Sequence, residues 1–238
     1  MVYITGDTHG DIREFQQRMR PYRLTEDDIL LITGDFGFDW DNHVIMQWLK
    51  FDHPYTVLFC DGNHENFDVL NALTVEDRFG GPVGRFDSNT FRLMTGNMYD
   101  IQGMRTFVFG GAASIDKDWR LEPENIRWMG KLWWEQEVPS PETFELARKT
   151  LREHNWTFDL FLTHTCNPDM RRMILGKDSV LSFVDPVENM ILELIQEIYK
   201  NDGGWAGWYF GHLHRDKDLE DRHCLYKRVV PISLKVGR

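Results

Sequence analysis

The densest chemistry in the chain is Cys60-Asp61-Gly62-Asn63-His64-Glu65, which follows directly on the apolar run Thr56-Val57-Leu58-Phe59. An amide, an imidazole and two carboxylates packed at the end of a buried strand are costly unless they hold something. Asn63 can offer a carbonyl oxygen to a metal ion, and the adjacent His64 can hand a proton to a leaving group. A polar turn with an Asx-type cap uses the same residues, so the motif gains meaning only from what other stretches bring to it. Four further apolar runs end in the same way: Val2 to Thr5 in Gly6-Asp7-Thr8-His9, Ile29 to Thr33 in Gly34-Asp35, Phe158 to Thr163 in His164, and Trp208 to Phe210 in Gly211-His212-Leu213-His214. Random placement would scatter these residues. In extended chain, residues two apart project to one side, so Asp7 with His9, and His212 with His214, can each aim at one small volume. A mixed imidazole, carboxylate and amide set suits Mn, Fe, Co, Ni or Zn, whereas thiolate-rich sets favour structural zinc. Cys166, two residues past His164, is not expected to be a ligand.

The elements that must carry these residues are legible from periodicity. Asp11 opens a helix with Ile12, Phe15 and Met19 on one face, and Val44, Trp48 and Leu49 sit at helical spacing between Asn42 and Lys50. Near-continuous apolar runs alternating with helices read as buried parallel strands whose carboxyl ends share one edge of a sheet, where ligands of open α/β sheets bind. Phe91 to Met94 reads as a strand, and Tyr99 to Ile101 with Thr106 to Phe109 as a hairpin that begins a second sheet. Ser140-Pro141 starts a helix with Phe144, Ala147 and Leu151 on one face. Asp185-Pro186-Val187-Glu188 starts another with an N-cap, a Pro at N1 and a capping-box Glu, and it stops at Asn201-Asp202-Gly203-Gly204. The tail from His223 to Leu234 reads as two short strands completing the second sheet. Residues 114–139, with Trp119, Trp128, Trp133 and Trp134 among many charges, follow neither period and read as an ordered excursion over the core, a candidate lid.

The 238 residues, 42% hydrophobic and free of repeats, are expected to form a single domain spanning 1–238. A net charge of −11, from 38 acidic and 27 basic residues, offers no footprint for nucleic acid or an anionic membrane, so an anionic substrate must be drawn by something local. Three cysteines without CxxC spacing fit a reducing compartment, and Val2-Tyr3-Ile4-Thr5 follows Met1 without a basic or long apolar leader. A cytoplasmic location and no membrane span are expected.

Taken in order, Gly6-Asp7-Thr8-His9, Gly34-Asp35, Gly62-Asn63-His64-Glu65, His164 and Gly211-His212-Leu213-His214 resemble the calcineurin-like metallophosphoesterase superfamily across nearly the whole chain. The resemblance implies an α/β fold, a two-sheet β-sandwich flanked by helices, with a dinuclear metal centre. Carried over by motif, Asp7, His9 and His214 hold one divalent ion, Asn63, His164 and His212 hold the other, and Asp35 bridges both. His64 stands outside the ligand set as a proton donor. Manganese leads the candidate ions, with Fe, Zn, Ni and Co also suited. Two ions roughly 3.5–4 Å apart can present a bridging hydroxide for in-line attack on phosphorus. Their +4 charge, against −2 from the ligand carboxylates, accounts for how an acidic protein attracts a phosphate ester.

The chain departs from the protein Ser/Thr phosphatases in having Asp35-Phe36-Gly37-Phe38-Asp39-Trp40 where those enzymes carry an Arg, although Glu65 matches them. A small or nucleotide-like phosphate mono- or diester is therefore the expected substrate, with Arg120, ahead of Arg171 and Arg172, as the phosphate-binding residue. The competing functions are a catalytically silent scaffold that binds a protein partner, and a nuclease, which the acidic balance disfavours. Asp35-Phe36-Gly37 also spells a kinase tripeptide, but the companion kinase signatures are missing. His43, His53, His154 and His223 lack motif context and read as surface or structural.

Overall fold

The computed structural model of the chain describes residues 1–37, 53–176 and 183–232. β1 (Val2–Thr5), β2 (Ile29–Ile32), β3 (Thr56–Phe59) and β6 (Thr90–Leu93) run parallel side by side, with Val2 opposite Ile29 and Ile29 opposite Thr56. The antiparallel strands β5 (Gly81–Arg85) and β4 (Thr74–Arg78) extend this sheet on one side and β13 (Val229–Ile232) on the other. The second sheet has the order β11 (Lys217–Leu219), β12 (Arg222–Cys224), β10 (Gly207–Phe210), β9 (Leu160–Thr163), β8 (Met104–Phe109), β7 (Met98–Ile101).

The period of two in each strand divides the apolar residues among three cores. Ile29, Leu31 and Leu58 of the first sheet meet Val108, Leu160 and Leu162 of the second between the sheets. Their neighbours Leu30, Ile32, Val57 and Phe59 face outward onto Phe15 and Met19 of α1 (Ile12–Met19) and Phe67 and Leu70 of α2 (Phe67–Asn71). On the far side, Phe107, Phe161, Trp208 and Phe210 pack on α5 (Pro141–Glu153), α6 (Pro168–Leu175) and α7 (Pro186–Lys200). The expected two-sheet sandwich flanked by helices is the observed one. Its helices begin where side chains cap orphan backbone donors: Asp11 accepts from the amides of Arg13 and Glu14, Ser140 from Thr143, and Asp185 from Val187. Glu188, read as the reciprocal arm of a capping box, is instead ion-paired to Arg171 Nε at 3.2 Å.

Other expectations need correction. β13 does not complete the second sheet. It pairs antiparallel with β1, Thr5 opposite Val229 and Val2 opposite Ile232, and Pro231, which has no amide hydrogen, is accommodated because this is an edge strand. Phe91 and its neighbours lie in the first sheet beside β3, joined by the β4–β5 hairpin, which polar Thr74-Val75-Glu76-Asp77-Arg78 concealed. Helix α6 also went unforeseen, although Asn167-Pro168 is a cap followed by Pro at N1. The expected Asn42–Lys50 helix and His43 lie outside the described residues. Residues 114–139 are ordered, with α3 (Lys117–Arg120), α4 (Pro123–Met129) and a 3₁₀ turn at Glu135–Glu137. No helix among the described residues is long and apolar enough to cross a membrane.

Candidate active site

Asp7, His9, Asp35, Asn63, His64, His164, His212 and His214 all follow the carboxyl ends of β1, β2, β3, β9 and β10, and the structure brings them together. Backbone hydrogen bonds tie the loops to one another. The amides of Thr8 and His9 donate to Asp35 O at 3.0 and 2.8 Å, and Gly211 N donates to His164 O at 2.8 Å. The carboxylates of Asp35 and Asp7 take part as well: Asp35 Oδ1 accepts from His64 N at 2.8 Å, and both Asp7 oxygens lie 3.1 Å from His212 N. The strand-end glycines permit this approach, since a Cβ at Gly62 would overlap Asp35 Oδ1 and one at Gly211 would overlap Asp7 Oδ1. Glu65 is no ligand in this geometry. Its buried carboxylate accepts from Phe36 N (2.8 Å) and Gly37 N (3.3 Å) and so braces the loop after β2.

Convergence does not come from extended chain, as the i, i+2 spacing suggested. His9, Asp35, His212 and His214 have φ of +47°, +49°, +63° and +49°, the left-handed region in which non-glycine residues are uncommon. Each such residue is roughly 1–2 kcal/mol less favourable than in its ordinary conformation, a strain that gathers at functional sites. The turns also divide the two histidines: His214 Nε2 lies 3.0 Å from His9 Nε2 and 3.2 Å from Asp7 Oδ2, whereas the His212 ring sits edge-on to His164 with centroids 5.0 Å apart.

The donor set calls for positive charge at its centre. His164 Nδ1 is 2.7 Å from the carbonyl of Thr33 and therefore carries the hydrogen, so Nε2 turns toward Asn63 Oδ1 at 3.1 Å and Asp35 Oδ1 at 3.3 Å. A nitrogen lone pair facing two oxygens is repulsive unless a proton or a metal ion lies between them. Burial alone would lower the His164 pKa, yet Asp35 and the Thr33 carbonyl raise it to about 10. Burial likewise opposes ionisation of Asp35, and His164, His64 and His9 overcome it, holding the carboxyl well below its usual range. Burial pushes the His212 imidazole down to about 3 and lowers that of His9, keeping both in the neutral form that binds metals. Donor atoms of Asp7, His9 and His214 lie within 4.8 Å of one another, as do those of His9, Asp35 and His64. This chemistry fits divalent ions. His64, expected outside the ligand set, thus also comes within ligand reach of Asp35 and His9.

Arg120 is 1% exposed, and its Nη2 lies 3.0 Å from Nε2 and 3.3 Å from Nδ1 of His64. Its Nε donates to Asp116 Oδ1 at 2.8 Å and Nη1 to Leu132 O at 3.3 Å. Arg171 pairs with Glu188 on the wall of a cavity of about 410 Å³ beside the cluster, and Arg172 pairs with Asp169 at the surface. Ile115 and Asp116 are the residues of the 114–139 stretch that line this cavity; Trp134 is core and Trp128 is 84% exposed. His53 is buried against the carbonyl of Tyr55, His223 pairs with Asp218, and all three cysteines are free and buried, as structural readings require. Sequence reasoning missed Ser114 and Glu137, which reach the site through contacts 51 and 23 residues apart in sequence.

A two-layered sandwich that gathers imidazole, carboxylate and amide donors at the carboxyl ends of its strands is the framework of a metal-dependent hydrolase. The family profile described as calcineurin-like phosphoesterase matches residues 1–216, and the chain belongs to that family. The family implies divalent metal ions and phosphoester hydrolysis. No curated protein sequence matches the chain. Among solved structures, phosphopantetheinyl hydrolase (PptH) from Mycobacterium tuberculosis is similar at 15% identity with a TM-score of 0.45, covering 94% of this chain and 87% of its own.

Proposed function

We propose that the protein hydrolyses a small phosphate mono- or diester at a dinuclear centre held by Asp7, His9, Asp35, Asn63, His164, His212 and His214. The observation that carries this reading is the pair of donor clusters on either side of Asp35: His164 and Asn63 at 3.1 Å from one another, and Asp7, His9 and His214 within 4.8 Å. When bound, two divalent ions, manganese first among the candidates, activate the attacking water and neutralise the phosphate. Asp35 would serve both ions, because its Oδ1 faces His164 at 3.3 Å and its Oδ2 faces His9 at 3.8 Å.

His64 lies on the cavity wall and gives its proton to the departing alkoxide. Arg120 acts on the substrate by way of His64, against which its guanidinium packs. The cavity suits a small ester. Ile115, Leu213 and Phe183 offer apolar surface to the alcohol portion, while Asp185 and Glu188 disfavour additional phosphates. The 114–139 stretch contributes to this selection through Ile115 and Asp116 rather than through its tryptophans. A silent scaffold has no physical need of a complete donor set with an acid beside it.

The test is hydrolysis by manganese-loaded protein of a panel of alkyl and aryl phosphomonoesters, diesters and nucleotides. Turnover of small esters ahead of nucleoside triphosphates is expected. Two bound ions with no turnover of any ester would identify a scaffold.

A further inference from the structure

Asn63 is useful as a ligand only if its amide is turned the right way, oxygen toward the cluster and NH₂ away from it. Nothing in the residue itself decides this, since the two ends of an amide have nearly the same shape. The decision lies 51 residues further on. Asn63 Nδ2 donates to Ser114 Oγ at 3.1 Å, and Ser114 Oγ donates in turn to Glu137 Oε2 at 2.7 Å. Glu137 Oε1 is engaged by two other donors, Ser114 N and Trp133 Nε1, each at 2.8 Å. Asn63, Ser114 and Glu137 are 6%, 2% and 2% exposed, so solvent is not at hand to replace a missing partner.

We infer that Glu137 is a positioning residue: through Ser114 it sets the polarity of the Asn63 amide and thereby makes Asn63 a metal ligand. An ionised carboxylate can only accept. Receiving three donors, Glu137 obliges the Ser114 hydroxyl to spend its single hydrogen on Oε2. The serine oxygen is then only an acceptor toward Asn63, which must present its NH₂. Asn63 Oδ1 is left facing His164 Nε2 at 3.1 Å, inside the donor cluster. Residues 114–137 thus stand behind the Gly62-Asn63-His64 turn as its outer support. Outer partners of this kind are typically worth about 10–100-fold in metal affinity.

The inference rests on the proposed metal centre, and a near-isosteric substitution tests it separately from hydrolysis. In Glu137→Gln the amide oxygen can keep Trp133 Nε1 and Ser114 N, while the new NH₂ takes the place of Oε2. That NH₂ donates to Ser114 Oγ, the serine hydrogen turns toward Asn63, and the Asn63 amide must reverse, aiming its NH₂ at the cluster. Shape is kept and polarity is inverted.

Calorimetric titration of the metal-free proteins with Mn²⁺ reads the result, with thermal unfolding of the metal-free forms as the check on folding. The parent is expected to bind two ions, Glu137→Gln to lose about 10–100-fold in affinity for one of them, Ser114→Ala to lose less, and Ser114→Thr, which keeps the hydroxyl, to stay near the parent. Two ions bound by Glu137→Gln with the parent's affinities would overturn the inference and leave the proposed function standing. Should Glu137→Gln fail to fold, Ser114→Ala decides, and unchanged affinity for both ions overturns the inference. A parent that binds no Mn²⁺ would remove the proposed function and this inference with it.

Discussion

Replacing Arg120 with Met keeps much of the aliphatic stem and removes the guanidinium that touches His64. The ion pair to Asp116, whose side chain is 42% exposed, is worth little, about 0–1 kcal/mol. The larger structural losses are the hydrogen bond to Leu132 O and the burial of that carbonyl without a partner, about 1–3 kcal/mol. For a chain of 238 residues this corresponds to a fall in Tm of roughly 2–12 °C.

The effect on turnover is separate. A hydrogen bond to a charged group contributes about 1.5–3 kcal/mol, so a His64 ring released from Arg120 loses about 10–150-fold in kcat, up to the lower end of the roughly 10²–10⁴-fold that general acid catalysis supplies. The assay is a double-mutant cycle of Arg120→Met and His64→Ala, with kcat and KM measured on an alkyl and an activated aryl phosphate. Because Arg120 works through His64, the double variant should match His64→Ala within about threefold. Losses that multiply, or a rise in KM shared by both esters, would refute the reasoning and make Arg120 a direct phosphate ligand.

Elemental analysis of reconstituted parent should approach two ions per chain, and Asp35→Asn should fall below about one, because Asp35 faces both donor clusters. His64→Ala should retain its metals and lose turnover mainly on esters with poor leaving groups; loss of an ion would instead show that His64, within reach of His9 and Asp35, is itself a ligand. Burial pushes the Glu188 carboxyl from its ordinary 4.5 up to about 7, against Arg171 and with Asp185. The folded chain then holds more protons between those values than the unfolded one, so stability is highest below about pH 4.5 and declines as pH rises toward 7, by at most roughly 3 kcal/mol. Urea midpoints for Glu188→Gln should show a flatter decline across this range, and an unchanged slope would assign it to other groups.

What could be read in the sequence was whatever is encoded by neighbours along the chain. Four-residue apolar runs such as Ile29-Leu30-Leu31-Ile32 announce doubly covered strands, and the residues just past them announce the cluster. Asp185-Pro186 and Ser140-Pro141 mark helix starts for equally local reasons. The remainder depends on partners remote in sequence. Val229-Val230-Pro231-Ile232 fits either sheet by composition, and only its pairing with β1 decides between them. Period-two reasoning anticipated that these side chains converge but for a reason that does not apply, since left-handed backbone at His9, Asp35, His212 and His214 does the aiming. Glu137 resembled any other acid in a charged stretch until Ser114 and Trp133 were seen converging on it.

The pairing of β1 with β13 also bears on how the protein is made. Val229 lies 224 residues after its partner Thr5, so on a ribosome advancing at about 5–20 residues per second β1 waits roughly 10–45 s for its outer neighbour. Throughout that interval its outward row of amides and carbonyls is an open template for another chain. His212 and His214 emerge shortly before β13, so the stretch from His212 to Ile232 both seals the sheet and completes the donor cluster. A nascent chain is therefore most prone to stick to its neighbours during the same seconds in which it cannot yet assemble its donor cluster.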